Sequence, residues 1–303
     1  VPEQSEFSDR KTIFFITVLS AACALVLAIL ASCLAQPKKE AKELDQTKEI
    51  LVATQIYNKL TGTFQIEESP HRWQMAKYSK NGQLVASDVA VKATPEEILA
   101  VARARIKPFL VDSEGNSFSF QEKRINFDHY LLDNKKTGYA DLPLKLAYEI
   151  LPNPDGKAAS KPVGYIIPIN GMGLWDRIYG YMAIAPNGVD VIGISWYDQK
   201  ETPGLGGNIA EPIWQKLFVG KKIFVLDPHA PGDLVRAPIG ITIVKGKVKD
   251  VLGDSPRAVA AVDGMAGATL TGNGVTKAYH SSLDPYRPFF IRLHSQEGSS
   301  HGS

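Results

Sequence analysis

The sequence predicts an α+β fold in which a single membrane-spanning helix precedes a domain built on a largely antiparallel sheet with flanking helices. Three observations carry that reading. Thr12 to Leu34 form an apolar run of 23 residues without a charge. Several strand-length apolar segments follow it between Pro- and Gly-bearing turns, and a few helical stretches with recognisable starts lie among them. At 44% hydrophobic residues and 34 basic against 32 acidic side chains in 303 residues, the composition excludes a disordered or collagen-like chain. A net charge of +2 supplies no cationic face able to track a phosphate backbone, so no nucleic-acid partner is expected. Both cysteines, Cys23 and Cys33, fall within the apolar run. Everything from Leu34 onward is therefore without the thiols of a disulfide, a thiolate zinc site or a self-contained iron–sulfur cluster.

Residues 1–11 form a short N-terminal segment. Residues 12–34 are long enough to cross a bilayer, show no polar stripe, and lack a closing small-residue site of the Ala-x-Ala kind. Leu30-Ala31-Ser32-Cys33 has the form of a lipoprotein processing site, which leaves cleavage at Cys33 open. Charge leaves the orientation open too. Arg10 and Lys11 precede the run and Lys38, Lys39, Lys42 and Lys48 follow it, a count that favours an internal domain, but long domains translocate largely regardless of charge.

Residues 35–62, rich in Lys, Glu, Leu and Ile at helical spacing, read as a stalk helix ending at Gly62, and residues 63–295 as the folded domain. Thr94-Pro95-Glu96-Glu97 is a helix start, with Thr94 as cap, Pro95 at the first helical position and Glu97 completing a capping box. Ile98, Val101, Ala102, Ile106 and Phe109 continue it as an apolar face. Strands are expected at Leu144 to Ile150, Val163 to Ile169, Ile178 to Ala185, Val189 to Tyr197 and Ile239 to Val244, with Asn187-Gly188 as a hairpin signal. Leu110 to Leu142 reads as an insertion, and residues 296–303 as a small, polar, disordered tail.

No dinucleotide fingerprint, Walker loop or zinc-protease motif is present, and the six histidines are scattered. Three Gly-bearing segments stand out instead. Gly171-Met172-Gly173-Leu174-Trp175-Asp176 follows a strand, and reads either as a turn with a core Trp or as a point where backbone and large apolar side chains meet a ligand. Glu201-Thr202-Pro203-Gly204-Leu205-Gly206-Gly207 is either a connection or a set of amides and polar side chains for a planar polar edge. Asp263-Gly264-Met265-Ala266-Gly267-Ala268-Thr269-Leu270-Thr271 leads into a helix, where free amides among small residues suit a phosphate.

These residues resemble a known family. Asp263 to Thr271 is similar to the flavinylation motif of the FMN-binding domain family, with Thr269 at the place of the threonine whose hydroxyl is joined to the FMN phosphate by a separate flavin transferase. The family commonly has Ser or Thr where this chain has Ala266. Glu201 to Gly206 is similar to the family's Glu-Thr-Pro-Gly-Leu-Gly loop, and where many relatives carry a histidine two places earlier this chain has Gln199. With the N-terminal span and the Gly171 to Asp176 segment, the chain resembles the C-subunit family of the sodium-translocating NADH:quinone reductases. The G-subunit family of the ferredoxin:NAD reductase complexes is the nearest alternative, and a membrane-anchored module holding FMN non-covalently is another.

The resemblance implies an electron-carrying flavoprotein with FMN covalently held at Thr269, a flavin core at about residues 144–285, and an extracytoplasmic domain anchored in the inner membrane of a bacterium. It implies Gly173, Leu174 and Trp175 on one side of the ring system and Glu201, Thr202, Gly204, Leu205 and Gly206 along another edge. Gly267, Ala268 and Thr271 fall beside the phosphate, and Asp263 matches an acid assigned to recognition by the transferase. Expected partners are the other members of the reductase complex, the flavin transferase and the bilayer. No side chain is expected to act as general acid or base, no metal ligand is expected, and the chain alone should not turn over NADH.

Overall fold

The computed structural model describes residues 9–69, 72–154, 161–226 and 232–300. Most of the N-terminal segment and the last three residues of the expected tail lie outside the described residues. The chain divides into two units, Val1–Asp45 and Gln46–Ser303.

The described part of the first unit is helical. α1 (Asp9–Ala53) runs on past it with Pro37 in its interior, which removes a donor from the helix ladder there. An 18-residue window in this helix has a mean hydropathy of 2.8 and no buried share, so the helix is a candidate membrane span by length and composition.

In the second unit the helix stops at Ala53 rather than Gly62. Its last turn already belongs to the core: Leu51 and Ala53 are fully buried, Ile56 just beyond is 1% exposed, and the Ser195 hydroxyl donates to the Glu49 carbonyl at 2.7 Å. Residues 57–58, expected to be helical, form β1 (Tyr57–Asn58), the edge of an antiparallel sheet completed in order by β2 (Thr63–Ser69), β3 (Arg72–Tyr78) and β4 (Leu84–Ala86). α2 (Pro95–Arg105) begins with the expected capping box, Thr94 and Glu97 each bonding the other's backbone amide. It ends short of the apolar pattern's reach, because Ile106 and Phe109 belong to β5 (Ile106–Val111).

β5 pairs along its whole length with β7 (Lys145–Ile150), so Leu110 and Val111 lie inside the main sheet rather than in an insertion. Between them come β6 (Ser117–Phe118) and α3 (Phe127–Asn134). β8 (Gly164–Met172), β9 (Arg177–Ile184) and β10 (Val191–Asp198) complete a six-stranded antiparallel sheet ordered β10-β9-β8-β7-β5-β6. Asn187-Gly188 does sit in the β9–β10 turn, where the Asn187 side chain accepts from the amides of Val189 and Asp190.

After α4 (Pro212–Gln215), the expected strand at Ile239 to Val244 shrinks to β11 (Thr242–Ile243). α5 (Val248–Leu252) and β12 (Ala261–Val262) follow, with β12 parallel to β11. α6 (Thr269–Leu283) packs on the end of β8, and α7 (Arg287–Ser300) continues helical into the stretch expected to be a disordered tail. The core lies between the main sheet and these helices, with Trp196 and Tyr279 facing each other across it at 5.7 Å between ring centres. Tyr181 and Tyr197 stack at 4.9 Å; as the neighbour of Trp196 in β10, Tyr197 points to the other side of the sheet.

Candidate flavin site

The β8–β9 hairpin turns at Gly173–Asp176, closed by the Gly173 amide donating to the Asp176 carbonyl at 2.9 Å. Leu174 and Trp175 occupy the tip, and their amides both donate to Glu201 Oε1, at 3.0 and 3.1 Å. Trp175 Nε1 donates to Thr202 Oγ1 at 3.1 Å, which fixes an indole that is 67% exposed. Lys200 pairs with Asp176. The Lys200 ammonium hydrogen-bonded to it holds the Asp176 carboxyl below its ordinary range, and the Lys200 ammonium is raised in return.

Glu201 is 4% exposed. Its second oxygen accepts from the Thr271 hydroxyl in the first turn of α6, and its amide donates to Gln199 Oε1 at 2.6 Å. A methyl at Gly173 would lie 2.4 Å from Glu201 Oε1. One at Gly206 would lie 2.4 Å from Thr271 Oγ1 and 2.9 Å from Glu201 Oε2. These two glycines make room for the carboxylate.

α6 starts at Thr269 behind Ala268, whose side chain makes no cap. The first amides of a helix have no acceptor of their own within it and carry the positive end of its dipole. Thr269 is exposed there. A cleft of about 220 Å³ opens beside it, lined by Leu174, Glu201, Thr202, Leu205, Gly206, Gly267, Ala268, Thr269, Leu270 and Thr271. The three Gly-bearing segments thus meet at one place. Leu174, Leu205 and Leu270 stand exposed around the cleft.

The FMN-binding domain family matches residues 173–284, from the hairpin tip to the end of α6. The C subunit of the Na(+)-translocating NADH-quinone reductase of Chlamydia caviae is 39% identical over 291 residues, covering 92% of this chain and 91% of that protein. The chain belongs to the C-subunit family of the Na(+)-translocating NADH-quinone reductases. Its counterpart from Yersinia pestis is 30% identical over 303 residues, covering 94% of this chain and 93% of that protein. A crystal structure of the family member from Parabacteroides distasonis aligns with a TM-score of 0.47 at 26% identity, over 66% of this chain and 85% of that chain. Membership in this family bears out the C family, which the Gly171 to Asp176 segment favours, over the G alternative.

In this reductase family member the cleft fits the group for which its domain is named. Uncapped amides and an exposed hydroxyl suit a phosphate, and exposed leucines around a narrow recess suit the faces of a planar ring system. The structure brings together most of the expected residues, but not all. Asp263 is not on the wall: its Oδ1 accepts from the Val248 amide at 2.7 Å, capping α5 where Lys247 offers no side-chain cap, and its carbonyl accepts from Trp214 Nε1 at 3.1 Å. Gly204 lies in the turn closed by the Leu205 amide on the Thr202 carbonyl, off the wall. Gly173 and Trp175 are also off the wall, though Trp175 bonds Thr202, which is on it. Leu270, exposed between two threonines in the first helical turn, was missing from the expected set; an apolar residue on the open face of a helix start was its signal in the sequence.

Proposed function

We propose that this chain is the electron-carrying member of a membrane-bound, sodium-translocating NADH:quinone reductase, with FMN held in the cleft by a phosphodiester to Thr269 Oγ1. The observation that carries the reading is the exposed Thr269 at the uncapped start of α6, lining an apolar-edged cleft inside a match to the FMN-binding domain. Bound FMN supplies electron transfer in single steps.

The chain's own residues attach, orient and shield. During maturation the Thr269 oxygen bonds to the FMN phosphorus of an FAD donor, the diphosphate P–O bond breaks, AMP leaves, and the hydroxyl proton is lost. A flavin transferase catalyses this step, in which nothing is oxidised or reduced. The free amides at the start of α6 stabilise the phosphate charge. Leu174, Leu205 and Leu270 cover apolar ring surface and exclude water, while Thr202 holds the Trp175 plate at the rim. Asp263 keeps the approach to α6 in shape by capping α5, and serves the transferase only through that shape.

The apolar part of α1 anchors the domain in the inner membrane with the domain on the periplasmic side, where the other reductase components meet it. Intact and peptide mass test the site: chain made with the transferase should gain one FMN less one water on the peptide containing Thr269, and chain made without it should not. A chain lacking this increment in cells with an active transferase refutes covalent attachment. Protease added to spheroplasts should digest the region after Gln36, and full protection would refute the sidedness.

A further inference from the structure

The segment after β10 grips the β8–β9 turn residue by residue. Lys200 pairs with Asp176, Glu201 accepts from the amides of Leu174 and Trp175, and Thr202 accepts from the Trp175 indole. Glu201 reaches further than its neighbours, because its other oxygen accepts from Thr271, two residues along α6 from Thr269. Both oxygens are thus engaged by the chain's own donors before any ligand is considered. Burying a carboxylate is unfavourable unless its hydrogen bonds are met, and here the backbone makes way for it at both Gly173 and Gly206. A turn that needed only to be tight would require no buried carboxylate, whereas this one ties the turn to the first turn of α6.

Resting on the flavin reading of the cleft, we propose that Glu201 is a positioning residue. It holds the Leu174–Trp175 tip, on the ring side, in fixed relation to the first turn of α6, on the phosphate side, so that the cradle exists before the flavin arrives. Its action runs through the turn amides and Thr271 rather than through the cofactor.

The test uses the full chain in detergent, made with and without flavin transferase, as wild type, Glu201→Ala, Glu201→Gln and Thr271→Val. Without flavin, hydrogen exchange at the Leu174 and Trp175 amides should be about tenfold faster in Glu201→Ala, the scale expected for losing bonds to a charged acceptor. Glu201→Gln should stay near wild type, because its amide oxygen can accept from both backbone amides and its NH₂ can donate to Thr271. In the loaded chain the circular dichroism of the flavin and its midpoint potential should shift in Glu201→Ala and return in Glu201→Gln. A folded, loaded Glu201→Ala with unshifted dichroism and potential overturns the proposal. So does a Glu201→Gln shift as large as that of Ala, which would assign the effect to charge rather than position.

Should Glu201→Ala fail to fold, Thr271→Val decides. It cuts the link to α6 but leaves the turn amides bonded, so the dichroism should shift while exchange at Leu174 and Trp175 stays unchanged; unshifted dichroism overturns the proposal. A wild-type chain without the FMN increment defeats the flavin reading itself, and the exchange arm still judges Glu201.

Discussion

Two recesses of about 220 Å³ lie in the folded domain, one beside Thr269 and one bordered by Gln55, Asn58, Gln65, Trp73 and Gln215. Equal in volume, they differ in what their polar groups do. In the second, Asn58 Nδ2 donates to Gln65 Oε1, Gln65 Nε2 to the Gln55 carbonyl and Gln215 Nε2 to the Ile209 carbonyl, each at 3.1 Å. The amide donors of those three side chains are spent on the fold. Beside Thr269 the side chains of Glu201, Thr202 and Thr271 are likewise bonded within the chain, but the backbone amides of an uncapped helix start and the exposed Thr269 stand beside them, with leucines open around them. Volume does not distinguish a site from a gap, whereas groups left available in a matched arrangement do.

The largest effect that would separate the two recesses is on flavin content. Thr269→Ala should abolish the FMN increment entirely, while Gln215→Met should leave it at the wild-type level, as read by intact mass after coexpression with the transferase. Equal loss in both would break the comparison. Next comes Gly206→Ala, which drives a methyl against Thr271 and Glu201. Overpacking of this kind costs about 1–3 kcal/mol, so both the denaturation midpoint and the flavin yield should fall.

Smaller again is the stability change in Gln215→Met. It forfeits the bond to Ile209 but also removes Gln215 Oε1, a buried atom with no hydrogen-bond partner among the described residues, so the net change should stay within about 1 kcal/mol by chemical denaturation. Alkali acting through Tyr139 and Tyr165 should not discriminate at all, because neither residue lines either recess. Burial pushes the Tyr139 and Tyr165 hydroxyls up from 10.0 to about 12. Their folded values lie above the unfolded one, so their contribution is intact below pH 10 and is lost as pH rises towards 12. Thermal melts from about pH 8 to 11 should show a decline setting in near the unfolded tyrosine value, of the same size in Thr269→Ala and in wild type.

Local chemistry was what the sequence could display. The Thr94–Glu97 box, the strands either side of Asn187-Gly188 and the helix start at Thr269 each depend on residues within a few positions of one another, and each is found in the structure. The β1–β4 sheet went unread because strands such as Thr63–Ser69 and Arg72–Tyr78 are partly exposed and rich in polar residues, so alternation is faint. The end of the first helix was placed too late because the buried Val52 and Ile56, four residues apart, keep helical spacing although the helix ends at Ala53. In the site, motif residues were legible but their roles were not. Asp263 caps a helix that starts 15 residues earlier, and Glu201 reaches partners 26, 27 and 70 residues away. No pattern along the chain encodes such distances.

The helix that leaves the apolar run does not end as a tether. Its last turn supplies Leu51 and Ala53 to the interior and the carbonyl that satisfies a buried serine of β10, an edge strand of the main sheet. Where a protease cuts therefore decides what it liberates. Cleavage after Lys42 should free a water-soluble, flavin-competent body with its plug in place. Cleavage after Lys59 should carry that plug away with the hydrophobic piece and leave the sheet with an open wound of apolar side chains, prone to clump rather than to float free.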